Sequence, residues 1–131
     1  MTDGLHTVAS TFGAKETMDR LETAARARGL TIFARIDHAA GAIAAGLSLR
    51  PTELLVFGDA RVGTLLMQAD QTMGIELPLK ALVWQDAADR VWLSYVDPHA
   101  AVVRHALGSE LEAIAGKMSS MLAALASQAA Q

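Results

Sequence analysis

Two apolar runs separated by a short polar segment form the clearest pattern in the chain. They are LPLKALVWQDA, residues 77–87, and VWLSYVDP, residues 91–98. Apolar runs of this length on either side of a turn predict a β-hairpin. A three-residue loop, Ala87-Ala88-Asp89, is favoured over a two-residue loop because only its aspartate then needs a positive φ, which aspartate tolerates better than alanine. In this register Trp84 lies opposite Trp92.

The register divides the predicted hairpin into two faces of different character. The first face carries Leu79, Ala81, Val83, Val91, Leu93 and Tyr95. The second face carries Lys80, Leu82, Trp84, Trp92, Ser94 and Val96. The first face suits contact with helices. A solvated sheet face is normally polar, so the apolar second face predicts an association surface, and we expect a homodimer through the face that bears Trp84 and Trp92.

The stretch RPTELLVFGDARVGTLLMQA, residues 50–69, predicts a buried strand that leads directly into a helix. Glu53–Phe57 is a nearly continuous apolar strand, and Gly58 ends it. Asp59 is placed to cap a helix over Asp59–Thr72 by accepting backbone N–H groups. The turn lacks the Lys-Ser/Thr pair of a phosphate loop, so a strand-to-helix turn is the favoured interpretation and anion binding the alternative.

The remaining periodicity predicts strands and helices on both sides of this unit. They are strands Leu5–Ser10 and Leu30–Asp37, a helix Gly13–Arg28, a helical turn His38–Gly46 capped by Asp37, a helix from Asp97-Pro98 to Ala106, and a helix Ser109–Ser127. Residues 127–131 are expected to fray. Strict alternation along the second strand places Phe33 and Arg35 on one face, where Phe33 is expected to join the tryptophans.

Composition limits the classes of protein to which the chain can belong. At 131 residues it is expected to form one domain, residues 1–131, with a substantial core. The net charge of −3, with scattered lysines and arginines, argues against a nucleic-acid partner. There is no cysteine, no apolar run long enough to cross a membrane, and no secretory pattern in MTDGLHTVAS. A cytoplasmic protein without a membrane partner is therefore expected.

Four segments in a fixed order resemble the bacterial and archaeal family known as domain of unknown function 302. They are GLTIFARIDHAAGA, RPTELLVFGDARVGTLLMQA, LPLKALVWQDA and VWLSYVDP, within a similarity that covers residues 5–105. The resemblance implies an α+β fold, with helices on one face of a curved, mainly antiparallel sheet of about five strands, and a dimer. It implies no activity. The chain departs from the family pattern at Asp59-Ala60 and at Asp89, and its C-terminal helix lies beyond the similarity.

Four side chains are candidate ligand-binding groups: Asp37, His38, Lys80 and Tyr95. A histidine beside a carboxylate at a strand end suits acid/base chemistry, but Asp37 is equally explained as a helix cap. Lys80 lies in an apolar strand and suits an anionic ligand, although its stem can also cover the sheet while its ammonium reaches water. Tyr95 suits either a ligand hydrogen bond or a place in the core.

The histidines show no metal-ligand spacing, so no metal and no cofactor are expected. Two functional classes stay open. The first is a dimeric ligand-binding or interaction module, with a pocket between the sheet and the long helix near Asp37, His38 and Lys80. The second is a small enzyme that uses the same three groups as acids and bases. The absence of a catalytic triplet favours the first.

Overall fold

The computed structural model of the protein describes residues 4–131, in which five β-strands form one sheet. The strands are β1 (Leu5–Ala9), β2 (Thr31–Asp37), β3 (Thr52–Gly58), β4 (Leu79–Gln85) and β5 (Val91–Val96). The helices are α1 (Ala14–Ala27), α2 (His38–Ala44), α3 (Ala60–Ala69), a 3₁₀ helix (Gln71–Ile75), α4 (Pro98–Arg104) and α5 (Ser109–Ala130). The strand order is β1-β5-β4-β3-β2, and all neighbours are antiparallel. The α+β class is confirmed.

The core lies between the hairpin and the helices α1 and α5. The hairpin residues predicted to face helices are all at most 9% exposed, namely Leu79, Ala81, Val83, Val91, Leu93 and Tyr95. The residues that α1 and α5 bury most completely against them include Met18, Leu21, Ala25, Leu122 and Leu125. The two helices also pack against each other. Because these contacts all lie on the hairpin's aliphatic face, the tryptophan-bearing face has no such cover within residues 4–131.

The hairpin has the predicted register and the predicted loop. Trp84 lies opposite Trp92, and Asp89 has a φ of 64°. The Asp86 carboxylate accepts the backbone N–H groups of Ala88 at 2.9 Å and Arg90 at 3.0 Å. Side-chain acceptors of this kind stabilise a tight turn locally, which is why the loop could be predicted from the sequence.

Strand β2 departs from strict alternation because a β-bulge lies at Phe33. The pairing with β3 shifts between Ile32 and Ala34, so the residues beyond the bulge exchange faces. Arg35 consequently faces α1, where its guanidinium lies 2.8 Å from the Asp19 carboxylate. The expectation that Phe33 joins the tryptophans is wrong, because its ring instead packs near Gly58 at the other end of β3.

Three helices begin at aspartate caps, as predicted. The carboxylates of Asp37, Asp59 and Asp97 accept the backbone N–H groups of Ala40, Arg61 and His99, each at 2.9 Å. The helix that starts after Asp59 ends at Ala69 rather than at Thr72. Asp70 ends it by accepting the Thr72 backbone N–H at 2.9 Å, which begins the separate 3₁₀ helix.

Helix α5 continues to Ala130, and the prediction that residues 127–131 fray is wrong. Ala129 and Ala130 are fully buried. The Arg20 guanidinium of α1 donates to the carbonyls of Gln128, Ala129 and Gln131 at 2.8–3.2 Å. The Thr11 backbone N–H donates to the Ala130 carbonyl at 2.9 Å. These bonds satisfy the carbonyls that a free helix end leaves without partners.

A group of charged and polar side chains ties the 3₁₀ helix to the end of α4. The Glu76 carboxylate accepts from the Arg104 guanidinium at 2.7 Å and lies 2.9 Å from Nε2 of His105. Nδ1 of the same histidine lies 3.0 Å from the Thr72 hydroxyl. The hydrogen bonds from Arg104 and His105 lower the pKa of Glu76 to about 2.

We predict that Glu76→Gln lowers the stability of the protein at neutral pH and that this loss disappears in acid. The folded-state pKa of about 2 lies below the ordinary value of 4.5, so ionised Glu76 favours the folded chain. The contribution is complete above 4.5 and is lost as the pH falls towards 2. Solvent screening limits it to about 1 kcal/mol. Urea denaturation across this pH range measures it, and a loss that does not change with pH would contradict the assignment.

Candidate functional site

A cavity of about 440 Å³ lies between α3, α5 and the β3–β4 end of the sheet. Its lining is almost entirely apolar and comprises Leu30, Phe33, Gly58, Asp59, Ala60, Val62, Gly63, Thr64, Leu65, Met67, Leu77, Pro78, Leu79, Ile114, Lys117, Met118 and Met121. A volume of this size falls in the range of about 300–1,000 Å³ that small-molecule sites occupy. The cavity is the best-formed candidate for a binding site in the part of the chain that the structure describes.

Local sequence features explain why the cavity forms at this position. The bulge in β2 directs Phe33 to its rim instead of along the sheet. Helix α3 buries only Gly63 and Leu66, so most of the helix stands away from the core. Gly63 lets α3 approach Leu77 closely, because a Cβ there would lie 3.4 Å from Leu77 Cδ1. The space between α3 and α5 is left to flexible side chains, including methionines.

Two charged side chains line the cavity, Asp59 and Lys117. The Asp59 carboxylate is already engaged by the backbone N–H and the guanidinium of Arg61, at 2.9 Å and 3.2 Å. The hydrogen bond from the Arg61 side chain also lowers the pKa of Asp59. Lys117 is exposed on α5 and has no carboxylate partner among residues 4–131. Lys117 is therefore the ionic group at the cavity that is available to a ligand.

A shallow groove on α5 adjoins the cavity. It is lined by Arg28, Ala113, Gly116, Lys117, Ser120 and Met121, and it shares Lys117 and Met121 with the cavity. Arg28, at the end of α1, also has no carboxylate partner within the described chain. Two cations therefore line a groove that adjoins an apolar space.

The residues proposed from the sequence as ligand-binding groups lie outside this cavity. Asp37 caps α2 and is aligned across β3 with Val83. His38 is the first residue of α2 and is exposed. Lys80 lies three positions along β4 from Val83, on the outer face of the sheet, and its ammonium donates to the Pro78 carbonyl at 3.0 Å. The structure does not bring these three groups together, so it gives no support to joint acid/base action.

Tyr95 belongs to a polar cluster that sequence patterns did not reveal. Its ring stacks on the His6 imidazole, with centroids 5.3 Å apart, and burial raises the pKa of its hydroxyl. His6 Nε2 lies 3.3 Å from the Asp97 carboxylate, whose other oxygen accepts from the Ser119 hydroxyl. The serine bonds to the aspartate rather than to the histidine, so this is not the arrangement of a serine hydrolase. Asp97 is accounted for as the cap of α4.

Residues 4–131 contain no group of three or more His, Asp or Glu side chains that could hold a metal ion. Across the same range, no helix combines the length and the apolar character that crossing a bilayer requires.

Comparisons with known proteins relate the chain to two kinds of protein. Over 105 residues, or 80% of its length, it is 47% identical to a protein of Brucella suis named fluoride-specific ion channel FluC 1, and equally to that of Brucella abortus. The matched segment makes up only 41% and 39% of those relatives, so the chain spans about two fifths of their length.

The fold matches that of a solved protein almost throughout. The crystal structure of an uncharacterized conserved DUF302 protein from Bacillus stearothermophilus superposes with a TM-score of 0.87, covering 98% of this chain and 99% of that one. At 21% sequence identity this likeness shows the fold alone. The family model described as domain of unknown function DUF302 matches residues 6–125. The resemblance noted in the sequence is thereby confirmed, and the chain belongs to the DUF302 family.

Proposed function

We propose that the protein is a non-catalytic module that binds a small apolar ligand in the cavity between α3 and α5. The observation that carries this proposal is the cavity itself, because a folded chain normally closes apolar spaces of this size. Its walls join three elements, so a bound ligand would stabilise the loosely packed α3 against the rest of the fold. Binding to the folded state alone would also raise the melting temperature.

The chemistry of the lining favours binding over catalysis. General acid/base catalysis needs at least one titratable group free to exchange a proton with a substrate. Of the two charged groups that line the cavity, Asp59 is held by Arg61 and by a backbone N–H. Lys117 is exposed, whereas a catalytic amine is normally desolvated. The remaining lining residues offer mainly aliphatic and methionine side chains.

We predict that the protein binds an uncharged apolar probe, N-phenylnaphthylamine, with enhanced fluorescence. Met67→Glu places a carboxylate in the apolar lining on α3 and should weaken binding by at least about tenfold, since a buried charge without a partner is costly. Ala123→Glu is the matched control, because it adds the same charge at an exposed position of α5 outside the lining. Fluorescence titration measures both. Equal probe affinity in the two variants would place the binding site elsewhere.

The outer face of the sheet supports the further proposal that the protein forms a homodimer. The register aligns Ile36, Leu54 and Leu82 in one apolar row across three strands. Leu5 and Val96 lie paired on the same face and are 44% and 45% exposed. The bulge in β2 strengthens this surface, because it turns Ile36 outward. An apolar sheet face without helices is typical of an association surface.

The polar groups of this outer face already have partners within the chain. Trp84 Nε1–H donates to the Ser94 hydroxyl at 2.9 Å, and Trp92 Nε1–H donates to the Asp86 carboxylate at 2.8 Å. The Ser94 hydroxyl also bonds the Thr7 hydroxyl at 2.8 Å. A second copy could therefore cover the indole rings without leaving a donor unpaired, and unpaired buried donors are the main cost of burying polar residues.

We predict that Trp84→Glu combined with Trp92→Glu yields a folded monomer while the wild-type protein is a dimer. The two rings are stacked neighbours, 6.2 Å apart, and four glutamates would face one another across a two-fold interface. Light scattering measures the mass, and circular dichroism checks the fold. Arg61→Glu, at an exposed position on α3, is the control and should leave the dimer intact. A monomeric wild type, or a dimeric double variant, would refute this interface.

The Brucella relatives suggest a second candidate function, in which the module acts together with a fluoride channel. The observation that favours it is the 47% identity with a segment of proteins named fluoride-specific ion channels. In that setting the module would tune or stabilise a channel formed by the larger, unmatched part of those proteins.

A deletion and replacement experiment tests this second candidate. We predict that removing the matched segment from the Brucella suis relative lowers fluoride efflux from proteoliposomes, and that inserting the present chain in its place restores most of the efflux. A variant in which the segment is replaced by a flexible linker of equal length controls for spacing. Unchanged efflux after deletion would show that the segment has no part in the transport.

A further inference from the structure

The groove that adjoins the cavity is cationic although the chain as a whole is anionic. The net charge is −3, yet the two ionic side chains that line the outer groove are Arg28 and Lys117. Asp59, the carboxylate that lines the cavity, is paired with Arg61 at 3.2 Å. No other carboxylate lines either the cavity or the groove among the described residues.

Five other cations of the protein are engaged with acids, whereas Arg50, Lys80 and Arg90 have no carboxylate partner within residues 4–131. Arg26, Arg35 and Arg104 each hold one or more carboxylates at 2.7–3.3 Å. Arg28 and Lys117 hold none within residues 4–131, and both line the same groove. A single free surface cation is ordinary. Two free cations in a groove that shares Lys117 and Met121 with an apolar cavity form a pattern that complements an amphiphile with an acidic head.

We infer that the cavity takes a single acyl chain that ends in a carboxylate, a fatty acid of medium length. This inference rests on the proposed ligand-binding function and specifies its ligand. The acyl chain would lie among Ile114, Met118 and Met121, where it removes apolar surface from water. The carboxylate would lie in the groove, where Lys117 offers a point charge and Arg28 a guanidinium able to bond both oxygens.

Three probes with the same alkyl chain separate the contribution of the head group to the affinity from that of the chain. They are decanoate, decanol and decyltrimethylammonium. Each displaces N-phenylnaphthylamine from the protein in a competition titration, at concentrations below micelle formation. Decanoate is expected to bind about five- to tenfold more tightly than decanol, the range for one or two partly exposed ion pairs, and the cation most weakly. Decyl phosphate is an additional arm, because it keeps the negative charge but changes the head from a carboxylate to a phosphate.

Charge reversal at the groove is the decisive variant. Arg28→Glu with Lys117→Glu should invert the order, so that decyltrimethylammonium binds more tightly than decanoate while the affinity for decanol stays unchanged. Lys15→Glu with Arg50→Glu makes the same change in net charge at exposed positions outside the cavity and the groove, and should preserve the wild-type order. Both pairs of substitutions lie at the surface, and circular dichroism checks that the variants fold.

The outcomes distinguish a failure of the carboxylate inference from a failure of the proposed ligand-binding function. Equal binding of the three decyl probes, or an unchanged order after charge reversal at the groove, would overturn the acidic-head inference and leave the apolar binding function standing. Tighter binding of decyl phosphate than of decanoate would overturn the choice of a carboxylate. Failure of N-phenylnaphthylamine and of all decyl probes to bind would overturn the proposed function and this inference together.

Discussion

The packing of α1 and α5 on the aliphatic face of the hairpin is the interaction on which the rest of the molecule depends. Both helices bury small residues, and Ala25, Ala115 and Ala126 have at most 2% exposure. Small side chains let the two helices approach closely, so together they cover the middle of the sheet. Little sheet surface then remains for α3, which buries only two of its ten residues. The cavity is the space that remains between α3 and α5 because α1 and α5 cover the middle of the sheet.

The same packing determines the character of the opposite face. Because the two long helices lie on one side, the strands must carry aliphatic residues there and can carry other residues outward. The outward residues are nevertheless aromatic and aliphatic, and their few polar atoms are bonded to one another within the chain. A surface with that composition is compatible with water and with a partner. The helix-facing core does not require apolar residues on this outer face, so their presence there favours an interface.

Features that depend on neighbouring residues could be predicted from the sequence. The hairpin loop and the three aspartate caps belong to this class, because the carboxylates bond to backbone N–H groups a few residues away. The bulge at Phe33 could not be predicted, since alternation gives no signal for one extra residue. Arg20 at the end of α5 is a contact across more than 100 residues, and no local pattern predicts it. The cavity could be predicted from neither kind of pattern, since its lining comes from four separate segments of the chain, 30–33, 58–67, 77–79 and 114–121.

The bond from Thr11 to Ala130 joins residues separated by 119 positions. It therefore brings the segment after the first strand against the last turn of the last helix. Contacts between residues so far apart in sequence raise the contact order of the fold, and a higher contact order is associated with slower folding. During synthesis, β1 and α1 leave the ribosome long before the helix that completes their environment. Until α5 follows, α1 exposes its buried stripe, and the chain must tolerate that exposure for as long as translation of the remaining residues takes.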